Sequence, residues 1–324
     1  MNPQPIRLTR RSVLAAATAS AVAGFARAAD FPTRPITFIS PFPAGAAADA
    51  QIRALALAAG KVLGQTVVVD IAAGAAGTLG PSKLLNVRPD GYTLSQGNNN
   101  LYRQPFISKT AYNPAVDFTY IIGVSGFNFG LAVRSDSGWR TLQEFLAYAK
   151  ANPGKVTFGT IGVGSQPFNA MAMLAEKNGI TWTDVLYKGT AESVTALRGG
   201  HVTAISDGTG WAPYVRSGDF RLLAVYSPQR LKAFPEVPTL RELGYDFAGT
   251  SPWGVIGPKG MDPQVVRTLH DAFRKAMADP AFLQTLDTVV TEPMYMSTEE
   301  YHAFSMKQIG IEKAIVEKYG LANK

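Results

Sequence analysis

The stretch FISPFPAGAAADAQIRALALAAG, residues 38–60, changes character halfway along. Its first residues continue a β-branched and aromatic run that starts at Ile36. Pro43-Ala44-Gly45 breaks the run, and an alanine-rich segment follows in which Ile52, Leu55, Ala56, Ala59 and Leu63 fall at helical spacing before Gly64. A strand passed to a helix through residues almost without side chains is the repeating unit of a helix-covered parallel sheet. So small a turn lets a ligand come close to backbone N–H groups. The helix start adds orphan N–H donors and the positive end of the macrodipole, an arrangement that favours an anion.

The same construction returns in VTFGTIGVGSQPFNAMAMLAEKNG, residues 156–179, where Ser165 is placed to cap a helix and Pro167 lies in its first turn. Facing each other across a cleft, two such ends would grip a carboxylate. Each helix end contributes ~0.3–2 kcal/mol, and each charge-assisted hydrogen bond ~1.5–3 kcal/mol. Neither loop carries the G-x-x-x-x-G-K-[ST] pattern of a phosphate loop, and GVGSQP at 162–167 falls one residue short of G-x-G-x-x-G. GAAGTLG at 74–80 reads as a tight turn into a helix. Asp49 admits two readings. In the first helical turn it stabilises its own helix; facing the loop it repels an anion unless it bonds a donor on the ligand.

Beyond these two junctions the alternation continues. Strands are expected at 66–71, 92–96, 119–124, 183–187, 202–207 and 221–226. Helices are expected over 141–154, opened by a Thr141/Glu144 capping box, over 192–200, and from Asp262-Pro263 to Asp279-Pro280. NFGLAVRSDSGW (128–139) leads from a strand into a fresh series, and DFAGTSPWGVIGPKG (246–260) leads back. The expected fold is α/β, mainly parallel, with two lobes joined by a two-strand hinge. Lobe 1 is discontinuous, 29–131 and 247–324, and lobe 2 is 132–246.

The N-terminus stands apart. TRRSVLAAATASAVAGFARAAD (9–30) has paired Arg10-Arg11, an apolar alanine-rich stretch and a small-x-small step at Ala26-Arg27-Ala28. Residues 1–28 therefore read as a twin-arginine (Tat) signal peptide cleaved near Ala28-Ala29. The stretch is shorter and less apolar than the ~20 residues of a membrane span. Cleavage removes four arginines and no acid, so the formal charge falls from +7 to +3 and no basic stripe for nucleic acid remains. With no Cys and only His201, His270 and His302, far apart, neither disulfide, metal site, cofactor nor His-centred triad is expected.

With these residues in place, the chain resembles Bug-type solute-binding proteins, the extracytoplasmic receptors of tripartite tricarboxylate transporters. The resemblance rests on FPTRPITFISPFPAG (31–45), LGQTVVVD (63–70), RPDGYTL (88–94), YNPAVDFTYI (112–121), YAKANPGKVTFGT (148–160), LYKGTAESVTALRGGHV (186–202), RLLAVYSPQRLKAFPEVPTLRELGY (221–245) and WGVIGPKG (253–260). It covers essentially all of the chain from Phe31 onward.

It implies a type II periplasmic binding protein whose two Rossmann-like lobes close over a small organic acid. Such a protein is a periplasmic, monomeric, non-enzymatic receptor that passes its ligand to membrane permease subunits. In the family one carboxylate is held between the loop after the first strand and its counterpart in the second lobe. The first loop maps to Phe42, Pro43, Ala44 and Gly45, continuing through Ala46, Ala47, Ala48 and Asp49. The second maps to Thr160, Ile161, Gly162, Val163, Gly164 and Ser165. Phe168 lies close to that loop, and Tyr187, Lys188, Ser206 and Asp207 are expected to shape the distal half of the pocket.

The chain also departs from the family. Ala46-Ala47-Ala48 stand where further glycines are usual, Asp70 to Gly74 where Asn-Arg-Pro-Gly is usual, and no His follows the second loop. Added methyl groups and Phe168 make the pocket tighter and more apolar, which suits a terephthalate-like aromatic acid or a medium dicarboxylate better than citrate. Two other outputs stay open: a sensory receptor of the same fold, and a periplasmic enzyme. The enzyme has little to work with, since there is no Cys, no clustered His and no G-x-S-x-G elbow. Trp139, Trp182, Trp211 and Trp253 read as core or rim. The C-terminal 297–320 segment, with a Ser297/Glu300 capping box and mixed charge, reads as a solvated packing helix.

Overall fold

Two sheets organise the chain, and the order in which it visits them sets the architecture. The computed structural model describes residues 31–187 and 189–322; the expected signal peptide, 1–28, and Lys188 lie outside the described residues. The chain first lays down β1 (Ile36–Ser40), α1 (Ala47–Leu63), β2 (Val67–Ile71), α2 (Leu79–Lys83), β3 (Thr93–Gly97), α3 (Asn99–Ile107) and β4 (Phe118–Phe127). It then crosses to build β5 (Phe129–Arg134), α4 (Leu142–Ala151), β6 (Thr157–Thr160), α5 (Gln166–Asn178) and β7 (Thr183–Leu186). The second sheet is completed by α6 (Thr190–Arg198), β8 (Ala204–Gly208), α7 (Ala212–Ser217) and β9 (Phe220–Val225). After residues 226–250 the chain returns as β10 (Ser251–Pro258), α8 (Pro263–Ala276), α9 (Pro280–Thr288), β11 (Pro293–Met296) and α10 (Thr298–Tyr319). Among these described residues no helix is long and apolar enough to cross a membrane.

The strand orders are β11-β4-β10-β3-β1-β2 and β7-β6-β8-β5-β9. β1 pairs in parallel with β2 and β3, and β6 with β7 and β8. The mainly parallel expectation needs correcting at the crossings. β5 runs antiparallel to β8 and β9, and β10 antiparallel to β3 and β4. A strand arriving from the other sheet enters at the edge where its neighbours leave, so it must run against them. The two crossings lie side by side: Ser251 is opposite Phe127, Gly130 is opposite Val225, and Tyr226 N–H donates to Phe129 O at 3.0 Å.

Strand alternation sorts the core. On β1, Ile36 and Phe38 meet Ile52 and Leu55 of α1 and Phe273 of α8, while Ile39 faces Tyr102 and Tyr301. On β5, Leu131 and Val133 pack with Phe145 and Leu174, while Ala132 faces Leu197 and Trp211. Each fully buried aliphatic side chain contributes about 1.5–3 kcal/mol. Trp211 and Trp253 are core residues whose indole N–H groups donate to Asp207 O and Gln51 Oε1.

Two segments after β10 reach across to the second sheet. Val290, in the turn between α9 and β11, is buried among Leu197, Trp211 and Phe234. Its φ of 53° is an outlier for a β-branched residue. Asn128 Nδ2 donates to its carbonyl at 3.1 Å, and Thr209 Oγ1 donates to Val289 O at 2.6 Å. α10 is the packing helix expected, with one face buried and the rest in solvent. Tyr301, Ser305, Glu312 and Val316 are buried, with Glu312 held by Arg103 Nε at 2.6 Å. Its last turn touches α5, where the Tyr319 and Phe168 rings meet edge to face at 5.9 Å.

Candidate functional site

In each lobe the parallel strands end on one edge, and the predicted loops lie there. In an α/β sheet that carboxyl edge is where ligands bind. Pro43, Ala44, Gly45 and Ala47 are exposed, whereas Ala48 and Asp49 are buried under the first turn of α1. Phe42 lays its ring against Gly77, where an added Cβ would come within 3.0 Å of it. The N-cap is Ala46, in extended conformation and with no side-chain cap. Serine, threonine, aspartate or asparagine would normally accept from the N–H of N2 or N3 here. An alanine leaves those donors to something else.

The geometry resolves the two readings of Asp49. Its carboxylate turns back to accept the Gly45 N–H at 2.9 Å and meets Arg53 Nε at 2.9 Å. The acid is thus neutralised by its own helix, and Gly45, at φ 80°, supplies the bend that lets the chain reach it.

The second loop is built differently. Ser165 caps α5, accepting from Phe168 N–H at 3.3 Å and donating to Gly162 O at 2.7 Å. Pro167 contributes no N–H, and Asn169 Nδ2 donates to Gly164 O at 3.1 Å. Most of this helix start is therefore satisfied internally. What it offers the cleft is the backbone of 161–164 and two apolar side chains, Ile161 and Val163, each about 40% exposed. Thr160 beneath them is fully buried.

The expected distal wall divides. Tyr187 packs on Gly159 and lines an open depression of about 540 Å³ with Ala191, Glu192, Thr195 and His201, on the α6 side of the lobe. Ser206 and Asp207 are fully buried. The Ser206 hydroxyl bonds Pro167 O and Tyr226 OH, and Asp207 accepts from Thr190 Oγ1, Ser193 Oγ and Gly208 N–H. Both brace the wall from behind, tying β8 to the starts of α5 and α6. Lys188 lies outside the described residues.

Burial pushes the Asp207 carboxyl up to about 6, against the opposing pull of its three donors. A folded pKa above the unfolded ~3.9 means proton uptake favours the fold. This stabilisation is complete below the ordinary carboxylate pKa and is lost as pH rises through about 6. Asp207→Asn should flatten the stability profile between about pH 4 and 6 by about 3 kcal/mol. Thermal melts at half-unit pH steps measure it.

The tight turn into a helix expected at 74–80 is present at this edge, and what the sequence did not reveal is that asparagines hold it. Residues 74–77 form a left-handed turn with Ala75 and Ala76 at φ 47° and 53°, pinned beside Phe42 by Asn98 Nδ2 on Gly77 O and Asn100 Nδ2 on Ala76 O. Two alanines held in left-handed conformation are strain that the asparagines offset. The run of three asparagines directly after β3, at the carboxyl edge, was the available signal.

Known proteins resemble this chain in sequence and in fold. A family model described as "Tripartite tricarboxylate transporter family receptor" matches residues 51–321. The chain is 44% identical over 316 residues to the UPF0065 protein in the gbd 5' region of Cupriavidus necator, covering 96% of this chain and 97% of that one. Among solved structures it matches R. palustris Rpa4515 with adipate at a TM-score of 0.80 and 25% identity, covering 90% and 99% of the two chains. It matches MatC (Rpa3494) from Rhodopseudomonas palustris with bound malate at a TM-score of 0.75 and 25% identity, covering 88% and 100%.

Proposed function

Since the chain belongs to the tripartite tricarboxylate transporter receptor family, whose members are solute-binding proteins rather than enzymes, we propose that it is a periplasmic receptor for a small organic carboxylate, which it passes to the permease of such a transporter. The observation that carries the reading is the start of α1. Its cap position holds no hydrogen-bonding side chain and its one acid is already neutralised, so first-turn donors stay available to an anion. Adipate and malate in the two structural neighbours agree with that chemistry.

The preferred ligand is a medium aliphatic dicarboxylate or a terephthalate-like aromatic acid. The Ala46 and Ala47 methyl groups lie on one loop, and exposed Ile161 and Val163 border the other, so the cleft favours an apolar middle between polar ends. The receptor acts as a monomer after export and removal of residues 1–28, and closes by movement about the paired crossings.

Titration calorimetry on the chain from Ala29, with adipate, terephthalate, benzoate, malate and citrate, tests this. Saturable binding of about micromolar strength, near −8 kcal/mol, is expected for adipate or terephthalate, with citrate weakest and no product formed. No binding by any acid, or turnover of one, overturns it. Gly45→Val sharpens the test, because a Cβ there meets nothing within 4 Å but sits at φ 80°. The backbone penalty is about 1–2 kcal/mol. The protein should still fold while adipate affinity falls at least about tenfold, the equivalent of one lost hydrogen bond.

A further inference from the structure

We propose that Tyr319 and Leu321 are positioning residues for the second ligand loop, supplied to it by the opposite lobe. The inference rests on the reading of residues 160–165 as half of the carboxylate grip.

α10 is anchored in the first lobe. Thr298 Oγ1 donates to Ile121 O, Tyr102 OH pairs with Ser305 Oγ at 2.9 Å, and Glu312 is bound by Arg103. The helix then ends in a defined way. Gly320, at φ 61°, lets its own N–H bond Glu317 O and the Leu321 N–H bond Val316 O at 3.0 Å, the paired bonds of a Schellman motif. Leu321 is therefore held in place by the helix it follows.

What it meets is the loop. Gly164 lies at φ 76° and is buried, and a Cβ built on it would lie 2.3 Å from Leu321 Cδ1, with Ile315 Cγ2 at 3.9 Å. One turn along, Tyr319 rests on Phe168, in the first turn of α5. The two ligand loops are thus set by different means. The first is bent by its own helix through Asp49, and Gly45 has open space around it. The second has its glycine filled by a side chain from the other lobe, so its position follows the separation of the lobes.

A double-mutant cycle reads this contact directly. Gly164→Ala forces Leu321 aside, whereas on a Leu321→Ala background the new methyl group has room; the cost of the left-handed φ enters both steps and cancels. Leu321→Ala alone should weaken adipate binding about five- to tenfold, the worth of a partly buried leucine contact. The Gly164→Ala effect should be at least about fivefold smaller on that background, and Leu321→Met should restore affinity.

Because the chain has no cysteine, a Leu57→Cys/Lys155→Cys pair can be spin-labelled uniquely, one site on each lobe. The ligand-free distance distribution should broaden on Leu321→Ala or on truncation after Gly320. Additive effects with an unchanged distribution overturn the proposal, including where melting temperature drops, since that outcome marks a merely structural contact. If wild type binds none of the acids, the functional reading fails, and the ligand-free distances still decide whether Leu321 couples the lobes.

Discussion

Arg103→Ala should destabilise the protein by about 3–5 kcal/mol at neutral pH, because it strands a buried carboxylate. Glu312 has no solvent exposure, and among the described residues its carboxylate is held by the Arg103 guanidinium, itself 8% exposed. Even with that partner, burial outweighs the ion pair and raises the Glu312 carboxyl above its ordinary value. A raised carboxyl favours the fold at low pH and loses that advantage as pH rises through its folded pKa. Without Arg103 the carboxyl must take a proton to stay buried, so the variant should lose least in acid and most at neutral pH. Urea unfolding at about pH 4.5 and 7.5 checks the sign. Arg103→Met/Glu312→Leu, which removes both charges, should recover most of the loss. A loss below about 1 kcal/mol at neutral pH would mean the pair is solvated like a surface one.

The second large effect is expected at Gly254 in β10. A Cβ there would fall 2.2 Å from the Ile122 carbonyl oxygen and 2.6 Å from the Tyr301 ring. Backbone cannot yield as a flexible side chain does, and the site sits at a register shift between β10 and β4. Gly254→Ala should therefore cost about 3 kcal/mol or more, at or beyond the upper end for overpacking. Gly138, with nothing within 4 Å but a φ of 87°, is the control for a conformational penalty alone. Equal losses at the two positions in thermal melts would refute the steric account.

Local chemistry was the legible part of this chain. Pro43-Ala44-Gly45 marked the end of β1, Thr141/Glu144 and Ser297/Glu300 marked helix starts with both capping-box bonds present, and Gly64 marked a stop. The two loops were legible for the same reason, since a glycine-rich turn before a helix is written in adjacent residues. Partners distant in sequence were not. Nothing around β10 says that it inserts between β3 and β4, because antiparallel pairing across more than a hundred residues leaves no local pattern. Asp49 stayed ambiguous until Gly45 and Arg53 were seen to claim it. Val290 runs against its own preference: a β-branched residue at positive φ is tolerated because the second lobe's core surrounds it. Ser206 and Asp207 stand at the end of β8 on opposite faces, and each is covered, Ser206 by Pro167 and Tyr226 and Asp207 by Thr190 and Ser193.

The central place of β10 has a consequence for the order in which the protein can be made. Until Ser251–Pro258 leaves the ribosome, β4 has no partner linking it to β1–β3, and the first sheet exists only as a three-strand fragment and a stray strand. The second sheet, by contrast, has all its strands by Val225, and once the residues up to Phe247 have followed its cores lack only Val290. Domains generally fold as units as they emerge. Here the unit begun first must finish last, and the core residues that meet Phe273, Phe282 and Tyr301 wait for them while the other lobe is built.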